Sequence, residues 1–113
     1  MKVIIVQRHQ HIIDELKVLI GERSDVVFTT NPRVAIGAVP PSEPYVLITG
    51  MVFDKVDDGI NICVAAKGRN PNGKVALLTT MTSHEEMFDS VIDKYEQPKK
   101  VWHKQIQDLI KKD

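Results

Sequence analysis

The sequence predicts a doubly wound α/β fold, a five-stranded parallel sheet with helices on both faces. Three observations carry this reading. Short apolar runs alternate with stretches of helical periodicity along the chain, beginning with "KVIIV" and "HIIDELKVLIG". The leading runs are continuously apolar, as in strands covered on both faces. Turn and cap signals separate successive segments, which fits right-handed βαβ crossovers.

Taken in order, residues 3–6 form the first strand, a β-branched run. Over 11–21, Ile12, Ile13, Leu16, Leu19 and Ile20 fall on one side of a helix, and Gly21 suits the left-handed residue that ends it. "DVVFTT" (25–30) is the second strand. Asn31 and Pro32 then supply an N-cap and a first-turn proline for a short helix through Val34, Ala35 and Ile36. "PPSEP" breaks it and leads to "YVLITGM" (45–51), the clearest central strand. A polar loop, "VFDKVDDG", precedes a third helix at 60–68, and "NPNG" turns the chain into a fourth strand at 74–80. Residues 83–95 read as a helix opened by Ser83 with Glu86 three positions on, a capping box. "YEQ" (95–97) is the candidate fifth strand. "KKVWHKQIQDLIKK" closes the chain as an amphipathic helix with Val101, Trp102, Ile106, Leu109 and Ile110 inward. Five strands in this length favour the flavodoxin-like order 2-1-3-4-5. That order puts any site at the carboxyl ends of the strands, where residues 7–11 meet 49–59.

The bulk composition narrows the function classes. The 113 residues suit one domain, 1–113, with 42% hydrophobic and 27% charged side chains. Fifteen basic and fifteen acidic residues cancel, so no overall field favours nucleic acid or an anionic membrane. The run at 3–6 is too short for a signal-peptide core or a membrane span, which makes a cytoplasmic location the expectation. One cysteine, Cys63, rules out an internal disulfide and reads as a small core residue.

Candidate chemistry gathers behind the first strand. His9 and His11 flank a strand-to-helix junction, and zinc would need at least one further ligand such as His84, His103 or an acid. Solvent-facing histidines around a helix start are the competing reading. Arg8 with Lys55 forms a candidate basic mouth, which could pair with Asp54, Asp57 or Asp58. The "NPNGK" turn lacks the Walker arrangement, and no G-x-G-x-x-G opens the first helix. No cofactor is expected.

The order of "KVIIV", "PYVLI", Asp58–Gly59, "RNPNGKVALLT" and Gln97–Pro98 resembles a response-regulator receiver domain over essentially the whole chain. The resemblance implies a Mg²⁺ site made by two acids after the first strand and a phosphoacceptor aspartate ending the third. It also implies a Thr or Ser after the fourth strand and a Lys after the fifth, both contacting phosphate. In this chain the acidic pair falls on Gln7 and Arg8, the acceptor on Thr49, Gly50 or Met51, and the lysine on Gln97. Thr79 alone matches. An amide and a permanent cation are not anionic metal ligands. The reading is therefore a pseudo-receiver without aspartyl phosphorylation and without enzymatic activity. Asp54, Asp57 and Asp58 stand as candidate displaced acceptors, against their reading as turn and cap residues.

Such a module would act through protein–protein contact, with another signalling protein or with itself. The resemblance implies a contact face on the fourth helix, fifth strand and last helix, here including Glu86, Asp89, Trp102 and Lys104. For Trp102, core packing is the competing role. The alternative class is a small-ligand or metal-binding protein or enzyme using Arg8, His9, His11 and the 54–58 loop. It predicts a defined pocket over the first and third strands.

Overall fold

The computed structural model describes residues 1–55, 58–79, 87–95 and 97–111. Its sheet has five parallel strands: β1 (Lys2–Val6), β2 (Val26–Thr29), β3 (Tyr45–Thr49), β4 (Lys74–Thr79) and β5 (Ser90–Asp93). They lie in the order β2-β1-β3-β4-β5. Four helices are formed among the described residues: α1 (Gln10–Ile20), α2 (Pro32–Gly37), α3 (Asp58–Arg69) and α4 (Lys99–Leu109). This is the expected flavodoxin-like α/β fold.

Strand alternation splits the core into two layers. Ile4, Val6, Leu47, Val75 and Leu77 face one side, where Ala35 of α2 and Ile62, Cys63 and Ala66 of α3 cover them. Val3, Ile5, Val46, Ile48, Ala76 and Leu78 face the other, under Ile13 and Leu16 of α1 and Trp102 and Ile106 of α4. The central strands carry apolar residues at successive positions because both faces are covered.

Local signals act as their chemistry predicts. Asn31 Oδ1 accepts the Arg33 N–H at 2.9 Å, with Pro32 opening α2. Gly21 follows α1 at φ +76°, a conformation that side chains with a Cβ rarely adopt. One element differs from the sequence reading. The helix expected over 83–95 is not formed at 90–93, where Ser90–Asp93 pairs with Ala76–Thr79 as β5. The fifth strand is thus not "YEQ". Apolar residues at Val91 and Ile92 fit a short strand as well as a helix, and pairing to the open edge of β4 decides between them. The capping residues Ser83 and Glu86 lie outside the described residues. In α4 and at its C-cap, Trp102, Ile106 and Ile110 are buried as expected, but Val101 is 43% exposed. Among the described residues no helix is long and apolar enough to cross a membrane.

Candidate functional site at the carboxyl ends of the strands

The switch point of the sheet lies between β1 and β3, and backbone hydrogen bonds hold its rim together. The Gly50 N–H donates to the Val6 carbonyl at 3.1 Å, and the Gln7 N–H to the Thr29 carbonyl at 3.2 Å. On the β4–β5 side the Lys94 N–H donates to the Thr79 carbonyl at 3.1 Å. The Gly59 N–H reaches back to Met51 at 2.7 Å, seating the start of α3 on the loop after β3.

A cavity of about 270 Å³ opens above this rim. Gln7, Arg8 and His9 from the β1 end, Gly50 to Val52 from the β3 end, and Leu78, Thr79 and Lys94 line it. The sequence reading brought 7–11 and 49–59 together; at this cavity the structure joins 7–9 with 50–52. Gln7 is only 3% exposed, and its Nε2 has no hydrogen-bond partner among the described residues. Thr49 is fully buried at the end of β3, its Oγ1 donating to the Gly50 carbonyl at 2.8 Å.

Lys94 is the residue that sequence reasoning missed. The position implied for the lysine was Gln97, but β5 ends at Asp93, so the first side chain beyond it is Lys94. Gln97 is not among the residues lining the cavity, and Pro98 is the N-cap of α4. Burial pushes the Lys94 ammonium below its ordinary pKa, against the opposing pull of the Glu15 carboxylate. Recognising "SVID" as a strand would have exposed this lysine.

The loop acids occupy a different place. Asp58 Oδ2 accepts the N–H groups of Asp54 and Lys55 at 2.8 and 2.7 Å, closing the turn ahead of α3. Asp54, Lys55 and Asp58 line a groove with Asn31, Arg33 and other residues of α2 and α3, separate from the cavity holding Arg8. The expected basic mouth of Arg8 and Lys55 is therefore divided between two sites. Arg8 forms no ion pair with Asp54 or Asp58. Asp57 lies outside the described residues.

The rings of His9 and His11 are 5.4 Å apart, but they line different cavities. His11 faces a neighbouring one of about 360 Å³ with Glu15, Lys94, Lys99 and Trp102. His84 lies outside the described residues, and His103 packs edge-on against Trp102. Among the described residues no group of three or more His, Cys, Asp or Glu side chains is placed to hold a metal ion. Mg²⁺ requires hard, largely anionic oxygen ligands. The described cavity lining offers an amide and two cationic side chains instead, and these residues do not fit that ion.

The implied contact face also changes. Trp102 is 2% exposed and belongs to the core. Asp89 sits ahead of β5, where its carboxylate binds Lys67 at 2.7 Å and the Val75 N–H at 2.8 Å. Lys104 is exposed and pairs with Asp108 at 3.3 Å. Glu86 is outside the described residues. Cys63 is buried with its Sγ 3.4 Å from the Met87 carbonyl. Burial raises its pKa, Lys67 opposes this and Asp89 adds to it, the setting of a core thiol. No family model matches the chain, and no curated protein matches it.

Proposed function

We propose that this protein is a non-enzymatic, cytoplasmic signalling or scaffolding module of receiver-like architecture, acting by contact with a protein partner rather than by aspartyl phosphorylation. One observation carries the reading. The carboxyl ends of β1 and β3 present Gln7, Arg8, Gly50 and Met51 to the cavity, and none of the described residues lining it is a carboxylate. Asp58, one of the displaced candidates, already spends an oxygen on two backbone N–H groups.

Contact through the rim is supported by exposed groups that follow β1 and β5. Arg8, His9 and His11 are exposed, and Tyr95, next to Lys94, is 78% exposed. Exposed tyrosine and arginine are the side chains that most often anchor protein interfaces. A second reading, small-ligand binding in the same cavity, is favoured by the polar lining that Gln7, Arg8, Thr79 and Lys94 give it.

The test pairs two measurements. Incubation with acetyl phosphate and Mg²⁺, followed by intact mass, is expected to leave the mass unchanged; a phosphate-sized adduct overturns the proposal. Affinity capture from the native host is expected to recover a partner whose yield drops with Tyr95→Ala. Equal recovery by the variant would refute the rim as the contact surface.

A further inference from the structure

The two edges of the sheet differ in chemistry. β5 ends in Asp93 with Lys94 following, whereas β2 is "VVFT", without a charged residue or proline. Natural sheets blunt an edge with charge, proline or a bulge, because its unpaired N–H and C=O groups template further pairing. The Asp25 and Thr29 carbonyls accept from the Val3 and Gln7 N–H groups. In a parallel ladder alternate residues bond the same neighbour, so the N–H and C=O of Val26 and Phe28 point away from β1. Beside this edge lies a groove of about 740 Å³, whose lining includes Lys17, Val18, Glu22, Val26 and Phe28. Val18 is 86% exposed. Lys17 Nζ lies 5.7 Å from the centre of the Phe28 ring. Because α1 runs against the strands, Glu22, just past its end, lies by Val26 at the start of β2. Arg23 is committed to Asp25 and the Ile110 carbonyl. Lys17 and Glu22 form no ion pair among the described residues.

We propose that a second copy of this chain pairs on this edge, β2 against β2, antiparallel about a two-fold axis at Val27. Val26 of each copy then faces Phe28 of the other, and each such pair exchanges both N–H···O bonds. A β-branched residue opposite an aromatic one is a favourable cross-strand combination. The same axis brings Lys17 of one copy toward Glu22 of the other and covers Val18 with the second α1. Backbone pairing alone would accept any extended peptide. The charges of the groove, complementary to themselves under a two-fold, select a second copy. This edge lies across the sheet from β5 and Tyr95, so the inference is independent of contact through the strand-end rim.

Sedimentation equilibrium of the full chain, from micromolar to millimolar concentration, is expected to show a monomer–dimer equilibrium. Val26→Pro removes an outward N–H at the first residue of an edge strand, where proline is tolerated. Each dimer then loses a hydrogen bond on both sides of the axis, and dimerisation is expected to weaken by about tenfold or more. Glu22→Lys is expected to weaken it as well, and adding Lys17→Glu to that variant is expected to restore it. Lys104→Glu, on the exposed face of α4, is expected to leave it unchanged. Should Val26→Pro fail to give a native far-UV CD spectrum, Glu22→Lys at an exposed position and its rescue decide the matter. A monomer at every concentration overturns the proposal, even where Val26→Pro abolishes capture of a different protein from the host. So does a dimer that a folded Val26→Pro or Glu22→Lys leaves intact, a charge swap that fails to restore pairing, or a dimer that Lys104→Glu dissolves.

Discussion

Asp89 shows how much a single side chain contributes where the sheet is least supported. Its carboxylate accepts from the buried Val75 N–H and from Lys67, while its own N–H donates to the Val75 carbonyl at 2.9 Å. The chain is thereby clamped to the start of β4 just before β5 begins. Burial works to raise the carboxyl pKa. The hydrogen bonds from Lys67 and Val75, with the charges of Lys67 and Lys74, outweigh it and leave the group below its ordinary 3.8. A carboxylate whose folded pKa is depressed binds fewer protons when folded, so its contribution is present above the ordinary value. That contribution is lost as pH falls through the folded one. Asp89→Asn is expected to cost about 1 kcal/mol at pH 7, with the gap from wild type closing on acidification below the carboxyl range. Urea denaturation at neutral and acid pH measures it; a gap independent of pH would contradict this account. At this scale the sequence showed Gln7 and Arg8 where metal-binding acids would stand. It did not show Lys94, because that position depends on where β5 ends.

Among elements, the loop from β3 into α3 sets the site's floor, and Gly59 sets the loop. A Cβ there would press on the Gly50 carbonyl and lie 2.8 Å from the Met51 Cα, both backbone atoms that cannot swing aside. Gly59→Ala gains about 1 kcal/mol of helix propensity but forces the loop to move, an overpacking cost of about 1–3 kcal/mol. The expected outcome is a net loss of thermal stability with displaced Gly50 and Met51 amide resonances. A variant as stable as wild type with those resonances unmoved would exclude this role. Elements β1 to β4 and all four helices were legible from periodicity, caps and turn residues. The exception, β5, is four residues long and has partly buried neighbours on either side of Ile92. So short a run carries no period of its own, and its pairing with β4 is a non-local contact that no local pattern records.

For the whole molecule, one sheet shared by two cores makes the two faces interdependent. Ile62 anchors α3 on one face, while Trp102, the chain's only tryptophan, is buried on the other. Ile62→Ala is expected to cost about 2–5 kcal/mol through lost burial and the cavity left behind. Because β1, β3 and β4 contribute to both cores, Trp102 fluorescence and far-UV CD should report one coincident transition at the lowered midpoint. Separate midpoints would show that the faces unfold independently.

The sequence by itself determined the α/β class, the strand order and the end of the sheet where a site belongs. Each follows from local patterning combined with the handedness of βαβ crossovers. Only the tertiary structure decided which charges share the site. It moved Asp54, Lys55 and Asp58 into the α2–α3 groove and brought Lys94 to the cavity that Gln7 lines, from more than eighty residues away. The physical reason is that side chains at strand ends are sorted by the exact residue at which each strand stops, and hydrogen bonding between strands sets that point. Gln7, Arg8 and His9 therefore line a cavity whose second strongly basic side chain, Lys94, comes from near the other end of the chain.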